Sequence, residues 1–104
     1  MTLIELVALL NTTGYPVAYS HFNEPQDPPY IAYTTPVDNT FHADDKTYSV
    51  EIGVDIELYT DKKDLAAEIA VENLLNANNI PWTATQTYIE SEKLFQKTYE
   101  IGVI

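Results

Sequence analysis

The clearest pattern along the chain is an alternation of apolar and polar residues in the segment 46–59, which is strict from Thr47 to Leu58. Successive side chains of a β-strand point to opposite faces, so this alternation predicts a strand with one buried face. Its apolar side carries Tyr48, Val50, Ile52, Val54, Ile56 and Leu58. Since a typical strand has roughly five or six residues, we expect this unusually long strand to form the centre of the sheet, with Gly53 marking a bulge.

Two segments show the spacing of amphipathic helices. Residues 2–10 begin with Thr2 and Glu5 at capping-box spacing, and residues 61–77 begin with Asp61 as a predicted N-cap. The predicted buried face of the second helix consists of Ala66, Ala67, Ala70, Val71, Leu74 and Ala77. Leu65 and Ile69 fall outside that face, so they predict a second apolar strip that is available for contact with a subunit or partner.

The remaining segments complete a predicted α+β fold. Strands are predicted at residues 16–22, 30–35, 82–89 and 94–103, with a proline-rich loop at 24–29 and a polar loop at 36–45. The element order is therefore α-β-β-β-α-β-β. Tight turns at both ends favour antiparallel neighbours, so we expect a mostly antiparallel sheet with both helices packed on one face. The 104 residues predict a single domain, 1–104.

The composition limits the possible partners. The formal net charge is −11 and only five residues are basic, so the chain lacks the basic clusters that neutralise phosphates in nucleic-acid binding. Its acidity suits a surface that avoids DNA, mimics it or meets a basic partner. No cysteine is present. The apolar run at residues 3–10 is too short for a membrane span and has no basic leader, so we expect synthesis in the cytoplasm and no membrane partner.

Candidate catalytic groups are sparse. Of the two histidines, His21 falls in a predicted strand and His42 in a polar loop, and no glycine-rich phosphate loop is present. Glu51, Asp55 and Glu57 share the polar side of the long strand, where nothing apolar in the pattern would raise a pKa, so we expect a solvated face. Four residues of the polar loop offer oxygen atoms that could bind calcium: Asp38, Asn39, Asp44 and Asp45. Their spacing is not that of an EF-hand. The sequence therefore predicts no enzyme, no cofactor and no metal.

Aromatic residues crowd the first half of the chain around the proline-rich loop. Tyrosine is common in cores, and it is also favoured where one protein buries its surface against another. Ile4 and Leu9 likewise lie off the main apolar stripe of the first predicted helix. Together with the apolar strips on both helices, this pattern favours an oligomer. The candidate contact residues are Pro28, Pro29, Tyr30, Phe41, Leu65 and Ile69.

Four short segments carry a resemblance to a known family. They are YSHF at residues 19–22, PPY at 28–30, ELYTDKK at 57–63 and YIESE at 88–92. Over nearly its whole length the chain resembles small prophage proteins of Gram-positive bacteria, encoded between the head–tail connector and tail tube proteins. These are similar to the tail terminator, or tail-to-head joining, proteins of long-tailed phages.

The resemblance implies a non-enzymatic virion protein at the head–tail junction. Such a subunit is expected to form a homo-oligomeric ring, with a hexamer as the expected size, that caps the tail tube and docks to head connector proteins. DNA would pass through the ring without specific binding, and Glu51, Asp55 and Glu57 are the candidate residues of a DNA-facing acidic lumen. The alternative is a small acidic inhibitor or DNA-mimic protein that binds a basic partner.

Overall fold

The computed structural model of the protein describes the backbone of residues 1–44 and 47–104 and the side chains of residues 1–36 and 52–104. Within these residues the chain forms two helices and one five-stranded sheet. In chain order the elements are α1 (Leu3–Asn11), β1 (Val17–Tyr19), β2 (Tyr30–Asp44), β3 (Thr47–Thr60), α2 (Leu65–Ala77), β4 (Thr83–Ile89) and β5 (Leu94–Val103). The strand order in the sheet is β1-β2-β3-β5-β4. The predicted α+β fold and element order are confirmed.

Strand β3 is the middle strand of the sheet, as its alternation predicted. It pairs antiparallel with β2 on one side and with β5 on the other. Its side chains Val54, Ile56 and Leu58 are buried, with at most 1% of their surface exposed. Both helices pack on this face, where their side chains join the buried cluster Leu6, Leu10, Ile31, Val54, Ile56, Leu58, Ala67, Val71, Leu75, Ile80, Tyr99, Ile101 and Val103.

The prediction of a polar loop at residues 36–45 is wrong, because β2 continues as a strand to Asp44. The pairing of β2 with β3 shifts register twice, between Thr34 and Val37 and again between Val37 and Thr40. Each shift inserts one extra residue into β2. A proline has no N–H for the ladder and is tolerated at bulges, and Pro36 lies inside the first shift. Irregular pairing thus lets a proline-containing segment remain in the sheet.

The bulge that was predicted at Gly53 of β3 is found in β2 instead, as the two register shifts show. Gly53 pairs with Val37 on one side and with Gly102 on the other, and the pairing of β3 with β5 runs through it without interruption. The extra residues therefore lie in the partner strand β2. Gly53 itself belongs to the regular strand.

Strand β1 is shorter than predicted, and it pairs in parallel. It ends after Tyr19, where Ser20 takes a left-handed conformation with φ 66°. Residues 20–29 then carry the chain back, so that Ile31 at the start of β2 lies beside Val17 at the start of β1. Because the loop returns the chain and does not reverse it as a hairpin would, the antiparallel pairing expected at this end is wrong.

The helix starts follow local capping chemistry. In the capping box of α1, the Thr2 backbone N–H donates to Glu5 Oε1 at 2.9 Å and the Glu5 N–H donates to Thr2 Oγ1 at 3.2 Å, as predicted. The N-cap of α2 is Asp64, whose Oδ1 accepts from the Ala67 N–H at 3.0 Å. The prediction that Asp61 is the N-cap of α2 was wrong, because β3 runs to Thr60 and residues 61–64 carry the chain from the sheet to the helix layer.

The buried face of α2 is also rotated from the predicted one. Ala67, Val71 and Leu75 are buried at intervals of four residues, whereas Ala66 and Ala77 are exposed. Apolar residues form two overlapping stripes on this helix, so spacing alone does not decide which stripe faces the sheet. Leu65 and Ile69 lie outside the core, and 62% and 51% of their surfaces are exposed.

Candidate functional site

The sheet face opposite the two helices, here called the open face, is polar and acidic. The register and the alternation of side chains place residues from four neighbouring strands on it. Its members in the described part of the chain are Tyr30, Ala32 and Thr34 of β2, Asp55, Glu57 and Tyr59 of β3, Gln96, Thr98 and Glu100 of β5, and Thr83, Thr85 and Thr87 of β4. The candidate residues Asp55 and Glu57 therefore lie together at its centre.

Asp55 has a like-charged neighbour on the adjacent strand. It pairs directly with Glu100 of β5. Partial burial raises the pKa of the Asp55 carboxyl, and the charge of Glu100 raises it further. The expectation that nothing on this face would raise a pKa is therefore wrong at Asp55, where partial burial acts together with a second carboxylate that β5 brings.

Glu57 belongs to a chain of hydrogen bonds with Tyr59 and Gln96. The Tyr59 hydroxyl donates to Glu57 Oε1 at 2.9 Å, and Gln96 Nε2 donates to the Tyr59 oxygen at 2.7 Å. Partial burial raises the pKa of Glu57, partly offset by the hydrogen bond from Tyr59. Partial burial and the bond to Glu57 raise the pKa of Tyr59 to about 12. Glu57, like Asp55, is therefore not the freely solvated carboxylate that was expected.

Ion pairs in the described residues are found on the other side of the sheet. Lys97 Nζ lies 2.8 Å from Glu68 Oε1 and 3.0 Å from Glu72 Oε2, and Lys63 Nζ lies 2.9 Å from Glu68 Oε2. Within the same part of the chain, the carboxylates of the open face have no lysine partner. Those carboxylates belong to Asp55, Glu57 and Glu100.

The helix-side pairs form one polar network that the sequence did not predict. Glu68 is almost fully buried, with 6% of its surface exposed, and it accepts hydrogen bonds from both lysines. The Tyr99 hydroxyl, also buried, donates to Glu72 Oε2 at 2.7 Å. The network joins α2 to the inner face of β5. Its contacts between these elements join residues 25–29 positions apart, which local patterns do not contain.

Several candidate residues from the sequence fall outside the described side chains. The sequence predicts Glu51 on the same face as Asp55, but its side chain lies outside the described set, as do those of Phe41 and His42. The four residues considered as calcium ligands lie there too: Asp38, Asn39, Asp44 and Asp45. Among the side chains that the structure describes, no group of three or more histidine, aspartate or glutamate residues is arranged to bind a metal.

The candidate contact residues occupy two separate places. Leu65 and Ile69 lie one turn apart on α2, on the helix side of the sheet, with their side chains exposed. Pro28, Pro29 and Tyr30 lie at the end of the proline-rich loop and are half-buried. The Tyr30 ring stacks on Tyr59, with centroids 4.9 Å apart and an angle of 17° between the planes.

A groove lies between residues 20–26 and the end of the open face. It has a volume of about 490 Å³, and its walls include Phe22, Glu24, Tyr30, Tyr59 and Glu92. Four separate segments supply these residues: the loop after β1, strand β2, strand β3 and the turn between β4 and β5. Sequence reasoning missed the groove because no motif links these segments along the chain.

Comparison with known proteins assigns no function to these surfaces. No protein-family model matches the chain, and neither does any curated protein. Within the described residues, neither helix is both long and apolar enough to cross a membrane. The function of the chain is therefore inferred from its resemblance and from its surfaces.

Proposed function

We propose that the protein is a structural, non-enzymatic subunit of a ring at the end of a phage tail tube, where the tail joins the head. The ring is a homo-oligomer, with six subunits as the expected number, which contacts the tail tube protein and the head connector proteins. One observation carries the proposal: among the described residues, the sheet separates a face whose carboxylates have no lysine partner from a helix layer with an exposed apolar strip. A ring subunit with a DNA passage needs both kinds of surface.

The open face supplies the negative surface of that passage. Asp55, Glu57 and Glu100 are carboxylates that lack a lysine partner in the described residues, and the sequence pattern predicts Glu51 for the same face. A negative wall repels the phosphate backbone, so DNA can slide past it without binding. We therefore propose these residues as the lining of the lumen.

Two exposed features support self-association. Leu65 and Ile69 form an apolar pair one turn apart on α2, and both expose about half of their surface or more. Burial of such exposed apolar surface drives protein association. Strand β4 forms an edge of the sheet and contains no charged residue from Thr83 to Ile89. Edges without charges or prolines readily accept another strand.

The test is electron microscopy of the purified chain mixed at micromolar concentration with the tail tube protein of the same phage. The expected result is a ring of this chain at one end of each tube. The double variant Leu65→Gln/Ile69→Gln should fail to form the ring, because glutamine removes apolar surface but keeps helix propensity. The matched control is Ala66→Gln/Asn73→Gln, which alters exposed positions of the same helix and should still form it.

Two results would overturn parts of the proposal. A chain that stays monomeric with tube protein present, but binds a basic protein, would favour the acidic inhibitor or DNA-mimic alternative. A ring reconstruction that puts Asp55, Glu57 and Glu100 on the outside would refute the lumen assignment. A monomer in the absence of tube protein decides neither point, because the tube end can be required as a template.

A further inference from the structure

The groove beside the open face has an aromatic wall. Tyr30 and Tyr59 both line it and stack on each other, and Phe22 meets the Tyr30 ring edge-on at a centroid distance of 5.4 Å. These three side chains hold one another in place, so the wall is formed before any partner arrives. Aromatic rings attract cations through the negative charge of their faces.

The same groove is surrounded by negative charge. Glu24 and Glu92 line it, and the Glu57 carboxylate is bound to the hydroxyl of the lining Tyr59 at 2.9 Å. No lysine is found among the described residues that line it, and the chain contains no arginine at all. The charge of Glu92 also contributes, after partial burial, to a raised pKa of Tyr30, which indicates that this carboxylate acts on the aromatic wall.

The size and chemistry of the groove select one kind of cation. A volume of about 490 Å³ is far larger than a metal ion needs, but it suits a long side chain together with the backbone that carries it. A guanidinium group is planar, stacks on aromatic rings and binds carboxylates through paired hydrogen bonds. A lysine ammonium is more strongly hydrated and offers no planar surface for stacking.

We propose that this groove binds an arginine side chain of a partner protein, with the guanidinium against Tyr30 and Tyr59 and hydrogen-bonded to Glu92. The groove adjoins the open face and shares Tyr30 and Tyr59 with it, but the inference does not depend on ring formation. It identifies the partner by chemistry, as a protein segment that presents an exposed arginine.

The test is an NMR titration of the full chain with a capped Gly-Arg-Gly peptide at low salt. Aromatic resonances of Phe22, Tyr30 and Tyr59 should shift and saturate. Trp82, whose ring packs against Tyr99 on the helix side, should not respond. The same peptide with citrulline, which has the shape of arginine without its charge, should bind on the order of tenfold more weakly, the factor expected for a lost charge-assisted hydrogen bond.

Two variants separate the site from the overall charge of the protein. Glu92→Gln should weaken binding of the arginine peptide by a similar factor, and the variant is expected to fold because position 92 is exposed in a turn. Glu90→Gln removes the same charge two residues away, outside the groove lining, and should leave affinity nearly unchanged. Equal weakening by both variants, or equal affinity for the arginine and citrulline peptides, would overturn the proposal. Equal affinity for a lysine peptide would refute the assignment to arginine.

Discussion

Asp55 on β3 lies directly opposite Glu100 on β5, so two carboxylates of like charge face each other across neighbouring strands. Like charges at directly opposed positions destabilise a sheet, by an amount on the order of 0.2–1 kcal/mol. The sheet contains the pair even though lysines elsewhere are matched with glutamates. The pair therefore concentrates negative charge on the open face at a cost in stability, which suits a functional surface.

Removing one charge of this pair should stabilise the fold. Asp55→Asn eliminates the repulsion by Glu100 and the burial of a charge, so we expect the free energy of unfolding at pH 7 to rise by about 0.5 kcal/mol. Urea denaturation followed by circular dichroism measures the change. Asp61→Asn removes the same formal charge at an exposed turn position. If that control gains the same stability, the effect comes from the net charge of the protein and not from the Asp55–Glu100 pair.

The open face should also make stability depend on pH. The pKa values of Asp55 and Glu57 are raised in the folded state, so the folded chain holds more protons than the unfolded chain once pH exceeds the unfolded pKa of each group. Their contribution to the free energy of unfolding therefore falls as pH rises through that window. It is most favourable below the unfolded pKa values, which are about 4.

The double variant Asp55→Asn/Glu57→Gln tests this sign. Its free energy of unfolding minus that of the parent chain should increase from about pH 4 to pH 7, since only the parent develops the two charges. Urea denaturation at intervals of one pH unit gives the comparison. A difference that stays constant, or that shrinks as pH rises, would contradict the raised pKa values.

On the helix side, Lys97 is expected to be important for stability. It pairs with Glu68, which is almost fully buried, and with Glu72. Burial alone would raise the pKa of Glu68, but hydrogen bonds from Lys97 and Lys63 outweigh it and lower that pKa. Lys97→Met leaves the buried Glu68 charge with one exposed partner, so the free energy of unfolding at pH 7 should fall by about 2 kcal/mol.

The control for this prediction is Lys62→Met, at an exposed position next to Lys63. It should change the free energy of unfolding by less than about 0.5 kcal/mol. The loss in Lys97→Met should also shrink as pH falls through the folded pKa of Glu68, because the stabilising pair exists only while Glu68 is charged. Equal effects of the two lysine variants would argue against the network.

Tyr99 provides a second test of the same network. Its ring is fully buried and its hydroxyl donates to Glu72 Oε2 at 2.7 Å. Tyr99→Phe keeps the ring but removes that donor, so the free energy of unfolding should fall by about 1–2 kcal/mol. Tyr88→Phe removes a hydroxyl from a side chain that is 48% exposed, and it should have almost no effect. Thermal denaturation of the two variants in parallel makes the comparison, and matching midpoints would refute the role of the hydroxyl.

The sequence determined much of the fold by itself. Alternation identified β3 and its buried face, and the spacing of Thr2 and Glu5 identified the start of α1. Residues 94–103 were predicted with the bounds that β5 has. Each of these features depends on residues close together in the chain, where side-chain direction and capping follow directly from spacing.

Only the tertiary structure decided which distant residues meet. It extended β2 through Pro36 by irregular pairing, made β1 parallel, and turned Leu75 toward the sheet. It also added neighbours to the candidate carboxylates. Alternation assigned Asp55 and Glu57 to one face, but the nearby Glu100 and Gln96 and the raised pKa values come from packing between strands. The physical reason is that periodicity fixes the direction of a side chain within its element, whereas burial and charge interactions depend on neighbouring elements that local patterns do not specify.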